Sequence, residues 1–416
     1  MNHRERVTAA IRHQIPDRLP VDLGAMRSTG IMAIAYQQLK QHLGQSLPSG
    51  QEGDRGVVQG TPGGQILVFD TGQQLAYVEE PVREWMGADV LILDRGLLDG
   101  WRPYTLPDGT PARITKSFRT VPDGQGGEYS LGRRGRRVGH RPANSLYFDG
   151  IYHPLAYARS KSDLNLYHFS VITDKDLYKL QAEAKRLYEE TDYAILGSFG
   201  GALLEGGQGL RGWDQFMIDL AGNRDFAEAL LDRMLAATLR NLELYLDAVG
   251  DYIQIIQMGG DLGTQNGPQI RPSMYYEIIQ PREKALWGRI HTLKPQVAVF
   301  LHSCGGIYDL IPGLIDAGVD ILNPVQISAR GMDPARLKRE FGDRLCFWGG
   351  GCDTQSVLPF ASPEEVYRHT RQNIEIFKPG GGFIFCQVHN IQAGVPPQNI
   401  AAMRQAVHDS WDYSPN

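Results

Sequence analysis

The sequence predicts an α/β protein whose strands close into a parallel (β/α)8 barrel, with an antiparallel β insertion in the N-terminal third. Three observations lead there. Short apolar runs of strand length recur through the second half: Ala194–Phe199, Tyr252–Met258, Val297–Leu301, Asp320–Val325, Leu345–Trp348 and Phe383–Cys386. Between them lie amphipathic stretches of helical length, Asp225–Ala248, Ser273–Leu293, Met332–Phe341 and Ser362–Phe377, so strand and helix alternate. No nucleotide-type glycine fingerprint opens the first strand–helix unit, which favours a closed barrel over a doubly wound sheet.

Taken in order, the first candidate strand is Leu19–Leu23, after a turn at Asp17. From about 100 to 154 the composition changes. Turn signals at Pro107-Asp108-Gly109 and Pro122-Asp123-Gly124 separate alternating segments such as Ala112–Thr120, which reads as the antiparallel insertion. This region holds Arg133, Arg134, Arg136, Arg137 and Arg141, either a clamp for a carboxylate or phosphate or a hairpin edge blunted by charge. The six later strands are each separated by more than the dozen or so residues that a parallel crossover needs. The expected organisation is one barrel domain over 1–416, interrupted by the insertion.

Composition narrows the function classes. The chain has 416 residues, 42 Lys+Arg against 47 Asp+Glu and a formal charge of −5, which offers no field for nucleic acid or an anionic membrane. A hydrophobic fraction of 42% supports a large core. The opening residues to Gln14 are charged throughout without an apolar h-region, and no run of about 18 apolar residues occurs, so a cytoplasmic protein is expected. The four cysteines, Cys304, Cys346, Cys352 and Cys386, are too few and too clustered for a disulfide framework.

In a barrel the chemistry sits where strands end. The ends read His302-Ser303-Cys304-Gly305-Gly306, Gly259-Gly260-Asp261, Gly349-Gly350-Gly351-Cys352-Asp353 and Cys386-Gln387-Val388-His389-Asn390. His302 and Cys304 are two apart, so an extended strand end points both to one face, where they can share a tetrahedral ion. A third ligand has to come from another strand, and Cys386 and His389 are both suitable. Nitrogen and sulfur donors favour Zn²⁺ over Mg²⁺ or Ca²⁺. An H-x-C pair also arises by chance, since a buried cysteine often behaves as a small hydrophobe. Asp261 is a candidate metal ligand, general acid or base, or substrate acceptor, with a helix N-cap as its plain structural alternative. Glu205, on a glycine-rich stretch just past a strand, is a candidate to reach the same site. Cys346 reads as core and Cys352, after three glycines, as a rim residue of unknown role.

Several longer motifs carry a resemblance. They are His302-Ser303-Cys304-Gly305-Gly306, Gly318-Val319-Asp320-Ile321-Leu322-Asn323-Pro324-Val325-Gln326, Phe347-Trp348-Gly349-Gly350-Gly351 and His389-Asn390-Ile391-Gln392 with Val395-Pro396-Pro397-Gln398-Asn399-Ile400. With Asp261-Leu262-Gly263-Thr264-Gln265 and the opening Arg4-Glu5-Arg6-Val7 through Asp22, this sequence resembles the uroporphyrinogen decarboxylase superfamily. The resemblance implies a distorted barrel with its site on the strand C-terminal rim. It also implies one of two activities. The decarboxylases use an N-terminal Gln-Ala-Gly-Arg segment, an acidic residue and a tyrosine around the porphyrinogen, without metal; here the matching stretch is Leu23-Gly24-Ala25-Met26-Arg27-Ser28-Thr29-Gly30, which lacks that segment. The other branch consists of zinc methyltransferases and demethylases working with corrinoid proteins, whose motif is H-x-C followed far downstream by cysteine. His302 and Cys304 match its first half, whereas His389 stands where that cysteine would be.

The expectation is therefore a zinc-dependent methyltransferase or demethylase acting with a separate corrinoid protein. His302, Cys304, Cys386 and His389 are its candidate metal ligands, and Asp261, His389 and Glu205 its candidate catalytic groups. Zinc would either activate a substrate thiol or polarise a methyl ether or amine. The alternatives are a metal-free decarboxylase of a tetrapyrrole-like or aromatic acid and a barrel that binds a small molecule or corrinoid protein without turnover. Either a monomer or a homodimer is compatible with the sequence.

Overall fold

The structure, a computed structural model, describes residues 1–44 and 65–413. Seven parallel strands form one curled sheet in chain order: β1 (Val90–Leu93), β2 (Ala194–Gly200), β3 (Ile255–Gly259), β4 (Ala298–His302), β5 (Ile321–Asn323), β6 (Cys346–Trp348) and β7 (Phe383–Ile384). The segment around Val21 fills the gap between the two edges. Val21 forms a parallel bridge with Phe385 just past β7, Asp22 N–H donates to Phe385 O at 2.8 Å, and Asp89 N–H at the foot of β1 donates to Val21 O at 2.8 Å. The curled sheet with its surrounding helices is a distorted (β/α)8 barrel. The expected strand at Leu19–Leu23 is thus reduced to a short closing contact, while β1, a four-residue run too short to stand out in the sequence, takes a full place in the sheet.

Strand alternation sorts side chains into two layers. Val90, Leu196, Ile255, Phe300, Ile321, Trp348, Ile384 and Cys386 fill the barrel interior, and helix α1 (His3–Ile11) adds Val7 and Ala10 to that layer. The opposite faces, including Leu91, Ile195, Ile256, Val299, Leu301, Leu322 and Phe347, pack in a second layer with the surrounding helices. They include α2 (Asp174–Glu190), α3 (Leu204–Arg211), α4 (Arg224–Val249), α5 (Gln280–Leu293), α6 (Ile311–Ala317), α7 (Pro334–Phe341), α8 (Pro363–Phe377) and α9 (Pro397–Asp409). Their starts are written locally. At α8 the Ser362 hydroxyl accepts from Glu365 N–H while the Glu365 carboxylate accepts from Ser362 N–H, with Pro363 at the first helical position. Asp333 caps α7 by accepting from Arg336 N–H at 2.7 Å.

The N-terminal third carries the expected antiparallel material. Arg119–Pro122, Glu128–Leu131, Arg137–Arg141 and Asp149–Gly150 form one antiparallel sheet. A second sheet begins earlier than expected, at Ile66–Asp70, and is mixed: Ile66–Val68 pair in parallel with Ala112–Ile114, whose other neighbour, Trp101–Thr105, is antiparallel. The five insertion arginines do not converge. Arg141 pairs with Glu128, Arg136 and Arg137 lie over the rings of Tyr152 and Tyr129, Arg133 reaches Ser170, and Arg134 is exposed.

Candidate metal centre

Residues 298, 300 and 302 of β4 share a face, so His302 continues the inward row of Ala298 and Phe300 and emerges at the strand's C-terminal end. Its ring is held from below by β5. The Asn323 side chain donates from Nδ2 to Trp348 O at 2.8 Å, which turns its Oδ1 toward His302 Nδ1, 2.8 Å away. An amide oxygen accepts only, so Nδ1 must carry a hydrogen, which leaves Nε2 as the nitrogen turned toward Cys304 Sγ. The Ser28 hydroxyl donates to the same Oδ1, and Trp348 Nε1–H donates to the buried Asp22 carboxylate at 2.9 Å. This polar column through the barrel interior fixes both the tautomer and the direction of His302.

Cys304 lies one turn of chain further, its Sγ 3.4 Å from His302 Nε2. Three contacts anchor the loop. Cys304 N–H donates to Asp261 Oδ1 at 2.9 Å, Ser303 Oγ accepts from Leu262 N–H at 3.0 Å, and Gly305 N–H donates to Gln326 Oε1 at 2.8 Å. Asp261, at the end of β3, therefore caps this loop rather than a helix, and its Oδ1 is 3.5 Å from His302 Nε2. Glu205, in the first turn of α3, lies beside it with Oε2 3.4 Å from Asp261 N. Burial and the Asp261 charge push the Glu205 carboxyl above its ordinary value. Burial, Asp261 and Glu205 likewise push the Cys304 thiol up, so this pocket holds a thiol unless a cation enters.

Beyond β7 the chain takes a left-handed turn at His389, φ +67°, a conformation rare for a residue with a side chain. The turn brings the His389 ring 5.5 Å from that of His302, centroid to centroid. Burial, then the neighbouring His302, lowers its pKa to about 4, so at neutral pH it presents an uncharged imidazole. Cys386, three residues earlier, is not part of this group. It faces the barrel interior, is fully buried with Ile384 and Trp348, and its Sγ donates to Gln387 O at 3.1 Å. Cys346 is packed in the same interior layer, and Cys352 is buried in the outer one.

The ligand atoms of His302, Cys304 and His389 all lie within 4.8 Å of one another. A tetrahedral zinc with bonds of about 2.0–2.3 Å sets its ligands roughly 3.3–3.8 Å apart, so a contraction of about an ångström would close the set. Two imidazoles and a thiol that becomes thiolate beside a cation form a donor set suited to zinc, and three protein ligands leave the open position of a catalytic site. Sequence reasoning missed Asn323, although it stands in the quoted run Asn323-Pro324-Val325-Gln326 two positions along β5 from an interior isoleucine. Arg27 stands apart from the cluster: it is held by Asp70 at 2.6 Å, Asp94 at 2.9 Å and Ser198 at 3.1 Å, and it lines a cavity of about 780 Å³ together with Arg133.

Comparison with known proteins agrees with this architecture. A uroporphyrinogen decarboxylase from Methylococcus capsulatus is 24% identical over 208 residues, covering 47% of this chain and 55% of that protein, so the match spans about half the relative's length. Another, from Alkalilimnicola ehrlichii, is 24% identical over 307 residues, 71% of this chain and 75% of the relative. Among solved structures, a methyltransferase from Methanosarcina mazei superposes with a TM-score of 0.56 over 98% of this chain and 99% of its own, at 16% identity, a likeness of fold. The family model for uroporphyrinogen decarboxylase (URO-D) matches residues 193–410, from the foot of β2 to the end of α9 and so across every strand that carries the cluster. The chain belongs to the uroporphyrinogen decarboxylase (URO-D) family.

Proposed function

We propose that this family member is a zinc-dependent methyltransferase or demethylase that moves a methyl group between a small substrate and a corrinoid protein. The observation that carries the reading is the convergence of His302, Cys304 and His389, with His302 Nε2 freed by Asn323. Zinc, when bound, would supply Lewis acidity toward a substrate sulfur, oxygen or nitrogen. The chain's own groups do the rest. Asn323 keeps the hydrogen of His302 on Nδ1, and Asp261 holds the Cys304 loop through its backbone N–H. Glu205, its carboxyl pushed up by burial and Asp261, can keep a proton on Oε for the heteroatom from which a methyl group leaves.

The names of the relatives favour a second reading, a decarboxylase, in which cationic side chains would hold the substrate carboxylates. Arg27 argues against it, since two aspartates already neutralise that guanidinium and it opens on a cavity that none of His302, Cys304 and His389 lines. Elemental analysis of the gently purified protein decides between them. About one zinc per chain, lost in Cys304→Ser and kept in Cys386→Ala, is the expected result; wild-type protein free of metal would overturn the proposal and favour the decarboxylase.

A further inference from the structure

Cys304 and His389 open onto a cavity of about 700 Å³, a volume suited to a small organic molecule. Its wall has a consistent chemistry. Among the described residues lining it there is no lysine, arginine, aspartate or glutamate. Carboxamides and hydroxyls take their place, notably Gln265, Gln326, Gln355, Gln392, Thr354 and Tyr147, with Phe360, 82% exposed, on an otherwise apolar side.

The hydrogen bonds among these groups leave amide N–H donors free, with Gln265 Oε1 as a free acceptor beside them. Gln326 Oε1 is occupied by Gly305 N–H, and because a backbone N–H can only donate, the amide orientation is fixed with Nε2 turned elsewhere. Gln355 Oε1 accepts from Gln265 Nε2 at 2.8 Å and from Ser328 Oγ at 3.1 Å. Gln392 Oε1 accepts from Tyr147 OH at 2.6 Å. Among the described residues, no partner takes the Nε2 hydrogens of Gln326 or Gln355. The wall thus offers N–H donors without a formal charge.

We infer that this cavity selects an uncharged substrate bearing neutral oxygen or nitrogen acceptors, such as a methyl ether with amide, carbonyl or hydroxyl functions, over a carboxylate, sulfonate or ammonium compound. The inference rests on the proposed function, since it takes this cavity as the substrate site. Away from the metal position a bound anion would find no cationic side chain in the wall, and a buried charge without a partner costs far more than a paired neutral dipole. A bound cation would find no carboxylate in the wall. A neutral acceptor satisfies the two free amides without either cost.

The test uses wild-type protein, with zinc measured on the same sample, titrated calorimetrically with three probes of one shape: 4-methoxybenzamide, 4-methoxybenzoate and 4-methoxyphenyl-trimethylammonium. The amide should bind at least about tenfold more tightly than either charged probe. Gln355→Lys should erase that advantage over the benzoate by supplying the missing cation. Equal or tighter binding of either charged probe by wild-type protein, or no binding of the amide, would overturn the inference, whether or not the variant folds. The two readings fail separately: zinc-free protein that still prefers the amide sinks the metal reading alone, and zinc-bearing protein that prefers the benzoate sinks the substrate class alone.

Discussion

Asn323 decides which nitrogen of His302 is free, and its effect can be separated from simple packing. Replacing it with leucine keeps a side chain of similar size on β5 but removes the acceptor at Nδ1, so the ring can turn and either tautomer can form. Loss of such an orienting hydrogen bond typically weakens metal binding about 10–100-fold. Asn323→Asp keeps an acceptor facing His302 and should retain more of the zinc affinity than Asn323→Leu, although it loses the bond to Trp348 O. Competition with a chromogenic chelator reads both values; equal affinities in the two variants would show that the acceptor plays no part. Cys386→Ala is the complementary case. Its thiol lies in the interior layer, so zinc content should be unchanged while stability falls by about 1 kcal/mol from the small cavity left behind. The type of each candidate residue was legible in the sequence. What decided between Cys386 and His389 was not, because a single positive φ after the strand reverses the expected facing, and alternation alone cannot foresee it.

At the scale of elements, the position of Cys304 depends on two backbones that nearly touch. Gly305 has φ +89°, and a Cβ there would stand 2.6 Å from Gly263 C and 2.7 Å from Thr264 N and O. Backbone cannot swing away as a side-chain tip can, so Gly305→Ala should cost about 3 kcal/mol and move the Cys304 loop. Chemical denaturation measures the first effect and loss of bound zinc the second; a variant with wild-type stability would contradict the close approach. Helix α5 provides a pH-dependent case. Burial raises the Glu283 carboxyl from 4.5 to about 7, against the smaller opposing effect of the hydrogen bond from Tyr275 OH. A raised carboxyl holds its proton in the folded chain, so this contribution is complete below about pH 4.5 and is lost as pH rises toward 7. A shift of this size corresponds to something on the order of 3 kcal/mol. Glu283→Gln should therefore flatten the fall in melting temperature between those pH values and melt higher than wild type at pH 8. The strands β2 to β7 were legible as apolar runs because interior and outer layers both demand apolar residues. The cavity wall was not, since Tyr147, Gln265, Gln326, Gln355 and Gln392 come from separate loops and no local pattern links them.

For the molecule as a whole, barrel closure depends on the N-terminal segment, and its chemistry gathers on Asp89. This carboxylate is fully buried at the foot of β1. It accepts from Arg6 Nη1 at 2.7 Å, Arg18 Nη2 at 2.7 Å, Arg18 Nη1 at 2.9 Å and Val21 N–H at 2.9 Å. One side chain thus ties α1 and the closing segment to the first barrel strand. The sequence displayed the arginines in its opening motif, but their partner lies some 70 to 80 residues away in a strand too short to stand out. Removing one member of a buried ion pair leaves the others desolvated and uncompensated, at a cost of about 3–5 kcal/mol. Arg6 retains Asp17 as a second partner, which places Asp89→Ala toward the lower end of that range. Asp89 lies at the N-terminal foot of the strands, whereas the His302 cluster lies at their C-terminal ends. Closure and metal binding should accordingly separate. Asp89→Ala should lower the urea midpoint by an amount equivalent to about 3 kcal/mol while protein still folded at low denaturant binds zinc as wild type does. Asn323→Leu should show the reverse ordering, a large loss of zinc affinity for a smaller loss of stability. If Asp89→Ala instead released zinc from folded protein, the two ends of the barrel would be coupled through Val21, Asp22 and Trp348, and the polar column would have to be counted as part of the closure itself.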